Sequence, residues 1–120
     1  MEAIKTKKLE KVFKLSSRLT VYVPSTMDIN IECDTSEWVD AAATLLSNCF
    51  GGATSTEALG YWTSPTAGLV KEHSVMVFAY CSDADLQNKI ENVVSFCEVM
   101  KKELNQDAVA LEINGEMYFI

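Results

Sequence analysis

One histidine, His73, stands beside Glu72, and an imidazole is the side chain best suited to moving protons near neutral pH. No serine or cysteine stands in a motif that would give it a nucleophile, so His73 reads as a surface or half-buried strand residue. Asp83 and Asp85 are a close carboxylate pair, but they follow Ser82 where a helix is expected to start and negative charge meets unpaired amides. Asp28, Glu32 and Asp34 share a loop with a spacing that matches no calcium loop. Phe50-Gly51-Gly52-Ala53-Thr54 has the glycines of a phosphate cradle without its lysine or its following helix, and reads as a helix stop. The cysteines Cys33, Cys49, Cys81 and Cys97 form no CxxC and no Cys-His pair at ligand spacing, so reduced thiols are expected in place of zinc or disulfides. On these residues the chain is expected not to be an enzyme, to hold no metal and to need no cofactor.

The elements that would position such side chains must fit in 120 residues, enough for one domain. Charge divides the chain. Residues 1–18 carry six basic groups against two acidic ones, net +4, and read as a basic arm or short amphipathic helix. Residues 19–120 carry four basic against fifteen acidic groups, net −11, and read as a single α+β domain. A body this negative repels phosphate backbones, so direct nucleic-acid binding is not expected; basic protein surfaces are the favoured partners. No apolar run reaches the length of a membrane span, and Met1–Arg18 lacks the apolar stretch of a secretory signal. A cytoplasmic chain without a membrane contact is expected.

Leu19, Val21 and Val23 alternate with Thr20 and Tyr22, which predicts a strand stopped by Pro24. Met27–Cys33 reads as a polar connection. Asp34–Glu37 then offers helix-start chemistry, and Trp38, Ala42, Leu45 and Cys49 recur at helical spacing up to Gly51-Gly52. Strands are predicted over Thr54–Thr63 and Leu69–Cys81, separated by the turn cluster Ser64–Gly68. Leu86, Ile90, Val93, Cys97, Met100 and Leu104 form one apolar stripe of a long helix capped by Ser82. Ala108–Ile113 and Glu116–Ile120 flank Asn114-Gly115, a hairpin turn. The order β-α-β-β-α-β-β predicts a ferredoxin-like two-layer sandwich, an antiparallel sheet with both helices on one face.

Strand alternation assigns Leu19, Val21, Val23, Val75, Val77, Ala79, Leu111 and Ile113 to the face under the helices. The opposite face then carries Tyr22, Met76, Phe78, Tyr80 and one of Tyr61 and Trp62, an apolar patch that calls for a cover. The covers compared are another protein or a second copy, single-stranded RNA, and the chain's own Met1–Arg18. The reading that follows is a non-enzymatic, acidic protein-binding module. Tyr22, Tyr61, Trp62, Met76, Phe78 and Tyr80 are its anchors, and Glu91, Glu98 and Glu103 its electrostatic contribution. The alternative is a homodimeric ferredoxin-like protein that binds or converts a small ligand between sheet and helices, with His73 and Tyr80 the first residues to test.

The segments Leu19-Thr-Val-Tyr-Val-Pro-Ser-Thr26, Phe50-Gly-Gly-Ala-Thr54, Gly60-Tyr-Trp62, Gly68-Leu-Val-Lys-Glu72 and Leu111-Glu-Ile-Asn-Gly-Glu-Met-Tyr-Phe-Ile120 are together similar to small uncharacterised proteins of phages and mobile elements of gut bacteria. Some proteins of that company are anti-CRISPR inhibitors. The resemblance therefore implies an inhibitor of a host defence nuclease whose acidic body occupies a basic nucleic-acid channel. Met1–Arg18 is not part of the resemblance.

Overall fold

The computed structural model describes residues 4–28 and 31–120, so Met1–Ala3 of the basic arm and residues 29–30 of the first connection lie outside it. Among the described residues before Ser17, the one regular element is a 3-10 turn, Lys7–Leu9. The strands and helices follow in the order β1 (Ser17–Pro24), β2 (Thr26–Met27), β3 (Ile31–Glu32), α1 (Ser36–Phe50), β4 (Thr54–Ser64), β5 (Gly68–Cys81), α2 (Asp83–Glu103), β6 (Ala110–Ile113) and β7 (Glu116–Phe119). Five strands form one antiparallel sheet in the order β4-β5-β1-β6-β7. β2 and β3 pair separately within the connection that the sequence left unpatterned, because two-residue strands are too short to show a period.

The β-branched and leucine positions of β1 decide which sheet face is dry. Leu19, Val21 and Val23 are fully buried, with Val77 and Ala79 of β5 and Leu111 of β6 beside them. The two helices cover that face with Ala42 and Leu46 from α1 and Val93, Cys97 and Met100 from α2. Trp38 and Phe96 join the helices at a ring separation of 5.9 Å. The long apolar stripe is continuous with this core from Val93 to Leu104, whereas Leu86 and Ile90 are half-buried. Burial pushes the Cys97 thiol up to about 12, so this cysteine behaves as a small hydrophobe. All four cysteines are free thiols.

The helix ends show one departure from the expected chemistry. Ser82 Oγ accepts from the Asp85 amide at 3.1 Å, as its capping box requires. At α1, Thr35 occupies the N-cap but its hydroxyl donates instead to the Pro24 carbonyl, 2.6 Å away. Asp34 Oδ1 accepts from the Ser36 amide at 2.9 Å, and that bond holds the Asp34 carboxyl below its usual range. Asn114 and Gly115 adopt φ of 51° and 86°, the left-handed pair that a two-residue hairpin turn demands.

Asp83, at the start of α2, accepts hydrogen bonds on Oδ1 from the hydroxyls of Ser16 and Ser17. These bonds favour the carboxylate and lower its pKa, most strongly through Ser17. Because the folded pKa is depressed, the stabilisation is complete above the ordinary carboxylate range and is lost as pH falls through the folded value. In a carboxyl NMR titration, Ser17→Ala is expected to move the Asp83 midpoint up toward its ordinary value. An unmoved midpoint would show that these hydroxyls do not hold it.

Candidate functional site

The strand register places the rings. Tyr22 pairs with Met76 and Thr20 with Phe78, and Tyr80 follows Phe78 on the same side, opposite the helices. Trp62 pairs with Val70 and Gly60 with Glu72, so Trp62 shares this open face and Tyr61 points the other way. The β4–β5 hairpin outruns the helix layer, which leaves Tyr61 and Trp62 exposed on opposite faces. Tyr22, Met76 and Phe78 are half-buried and Tyr80 is 50% exposed. Phe78 and Tyr80 meet edge to face at 6.3 Å.

Two residues that sequence reasoning passed over modify this face. The Arg18 guanidinium lies 4.4 Å from the Phe78 ring centre and 5.6 Å from that of Tyr80, a cation over rings. Its in-phase spacing with Thr20 and Tyr22 was the available signal. Glu112 accepts from the Thr20 hydroxyl at 2.9 Å and from the Gly115 amide at 2.7 Å, tying β6 to β1 and to its own hairpin turn. Glu91, Glu98 and Glu103 are exposed on α2, which packs on the other side of the sheet. Anchors and acids therefore lie on opposite sides of the sheet, as the alternation of β1 and β5 implied.

A cleft of about 400 Å³ opens at the β1 C-terminal end of the open face. Tyr22 and Pro24, Gly60, the stretch Glu72-His73-Ser74, the loop Gln106–Ala110 and Phe119 line it. Gly60 directly opposes Glu72 and contributes no side chain there. Glu72 Oε1 accepts from Trp62 Nε1 at 3.0 Å, which fixes the carboxylate. Gln106 donates to the carbonyls of Thr26 and Leu104, both at 3.1 Å, and the Asn105 amide side chain donates to Asp28 at 3.1 Å. These bonds hold the loop wall in place.

The lining includes two carboxylates, Glu72 and Asp107, the rings of Tyr22 and Phe119, and no lysine or arginine. Such a cleft attracts an organic cation that carries a flat ring, through Coulomb attraction and the negative faces of the aromatics. The sequence alternative placed a ligand between sheet and helices. That space is filled by the core, and the cleft lies on the reverse side. A second cleft, of about 440 Å³, sits between the first turn of α1 and β4 with Asp34, Asp40 and Glu57 around it, but no aromatic ring. Among the described residues no group of three or more histidine, cysteine, aspartate or glutamate side chains is placed to hold a metal, and no helix is long and apolar enough to cross a membrane.

No family model matches the sequence, and no curated protein matches it either. Solved structures do match. A phage SAM lyase in complex with S-methyl-5'-thioadenosine aligns over 91% of this chain and 94% of its own, at TM-score 0.61 and 17% identity. The apo state of a phage SAM lyase aligns over 92% and 93%, at TM-score 0.62 and 18% identity. The fold is shared with an enzyme. At such identity the likeness establishes the architecture alone, an α+β chain with two helices on a five-stranded antiparallel sheet.

This likeness corrects the expectation that the chain is not an enzyme. That expectation rested on missing short motifs, which register only residues close in sequence. Here the cleft gathers residues from β1, β4, β5, the loop before β6 and β7, a set that no contiguous motif registers.

Proposed function

We propose that this chain is an enzyme that binds S-adenosylmethionine in the open-face cleft and cleaves it as a lyase, releasing S-methyl-5'-thioadenosine. The observation that carries the reading is the cleft itself: a fixed carboxylate, two rings and no lysine or arginine, on a fold shared over nine tenths of the chain with phage SAM lyase. S-Adenosylmethionine is a cation on a flat purine scaffold, which fits that lining. Release of the thioether breaks the bond between sulfur and the four-carbon chain, and the bonding pair stays on sulfur. A lyase adds no water, so the departing fragment closes on itself or loses a proton.

Sulfur is a neutral thioether once the bond breaks, so the leaving group needs no protonation. The protein's part is to bind the cation, orient it and exclude water, which asks for no histidine nucleophile system. Glu72 anchors a cationic group of the substrate, Trp62 orients that anchor, and Tyr22 and Phe119 supply ring faces. The proposal includes the ferredoxin-like arrangement with one added strand. Its support is the order β4-β5-β1-β6 with every neighbour antiparallel. It also includes a cytoplasmic location, in keeping with four free thiols.

Incubation of the purified chain with S-adenosylmethionine, followed by chromatography, is expected to show S-methyl-5'-thioadenosine rising with time and enzyme concentration. The companion fragment, read by mass spectrometry directly after mixing in heavy-oxygen water, should carry no solvent oxygen. Absence of S-methyl-5'-thioadenosine above the uncatalysed background overturns the reading.

A second reading, docking on a basic nuclease, is favoured by one observation: Glu91, Glu98 and Glu103 are exposed on the helix layer, across the sheet from the cleft. Reversing all three charges should weaken capture of such a partner at low salt while thioadenosine release stays unchanged. Undiminished capture removes this reading.

A further inference from the structure

The basic arm and the distal β4–β5 hairpin are both left uncovered. Among the described residues, every hydrogen bond made by 4–15 is internal to the arm, as in Leu9 to Thr6 and Val12 to Leu9. Ile4 and Phe13 are each 83% exposed, and the hollow of about 670 Å³ beside them is walled by the arm alone. A lone amphipathic segment in that state has nothing to bury against. The hairpin has the same problem on two sides. Leu59 and Tyr61 are exposed on one face and Trp62 on the other, and Leu69 at the tip is 60% exposed. β4 is also an edge strand of 11 residues whose outer backbone row has no partner in the sheet. A two-stranded ribbon is marginal by itself in water and gains stability from a covering layer.

We propose that the arm of one copy packs on the hairpin of a second copy. Charge selects this occupant. The arm belongs to a stretch of net +4 and the body carries −11, so arm and foreign body attract. Geometry points the same way. Leu15, where the arm leaves, lies beside Thr54 and Tyr80, at the opposite end of β4 from the hairpin tip. Ten residues of strand separate those ends, roughly 33 Å. Two copies lying side by side and antiparallel bring each arm to the other's hairpin, and both pairs close under one two-fold axis. This inference stands independently of the lyase reading.

Sedimentation of the full chain at tens of micromolar is expected to give twice the mass of the 13.3 kDa chain. Phe13→Asp in the arm and Leu69→Asp in the hairpin should each raise the dissociation constant by at least about tenfold. Both side chains are exposed in the isolated chain, so the variants should keep the parent circular dichroism, and any fall in melting temperature should be limited to what dimerisation contributes. A photo-crosslinker at position 13 should join two chains through Leu59–Leu69. A monomeric full chain, a dimer that survives both variants, a crosslink within one chain, or binding to phosphatidylserine vesicles without dimerisation each overturns the proposal.

Discussion

Replacing Glu72 with glutamine is expected to lower kcat/KM for release of S-methyl-5'-thioadenosine by about ten- to a hundredfold, with little change in melting temperature. The size follows from what is removed. Glutamine keeps the shape and can still accept from Trp62 Nε1, but it loses the negative charge that faces a cationic substrate. A charge-assisted contact contributes about 1.5–3 kcal/mol. Glu72 is open to solvent in the free protein, so the lower half of that range applies unless the bound substrate seals the cleft. Trp62→Phe keeps the charge and frees the carboxylate, and should cost less than E72Q. Equal activity of E72Q and the parent chain would remove Glu72 from the site.

The second large effect is on stability. Leu46→Ala should destabilise the chain by about 3 kcal/mol, within the 2–5 kcal/mol range of buried leucine truncations, and lower the melting temperature by roughly 10 °C. Leu46 is fully buried in α1 against the sheet, and its neighbour one turn earlier, Ala42, is too small to fill the hole left behind. Val99→Ala, on the exposed side of α2, should change stability by less than about 0.5 kcal/mol. A Leu46→Ala variant as stable as Val99→Ala in denaturant unfolding would contradict the assigned core.

The architecture was legible because its signals are local. Alternation in β1 and in the second half of β5, the stripe of α2, and Asn114-Gly115 each specify an element within a few residues, and the structure places all of them. The face assignment of Tyr22, Phe78 and Tyr80 follows from a period of two and needs no tertiary knowledge. Choosing between Tyr61 and Trp62 required the β4–β5 register, which the turn alone left open. The cleft was not legible. Glu72, the Gln106-Asp107 pair and Phe119 are distant from one another in sequence and line one cleft only because the loop before β6 returns to the sheet edge. The absence of a short motif therefore carried little weight against a fold shared with an enzyme.

The most direct test of the cleft is an amide chemical-shift titration of the full chain with S-methyl-5'-thioadenosine, which is not consumed. The account predicts shifts concentrated at Tyr22, Gly60, Glu72, Ala108 and Phe119, saturating together. Shifts centred instead on Asp34, Asp40 and Glu57, or no shifts at millimolar ligand, would contradict it.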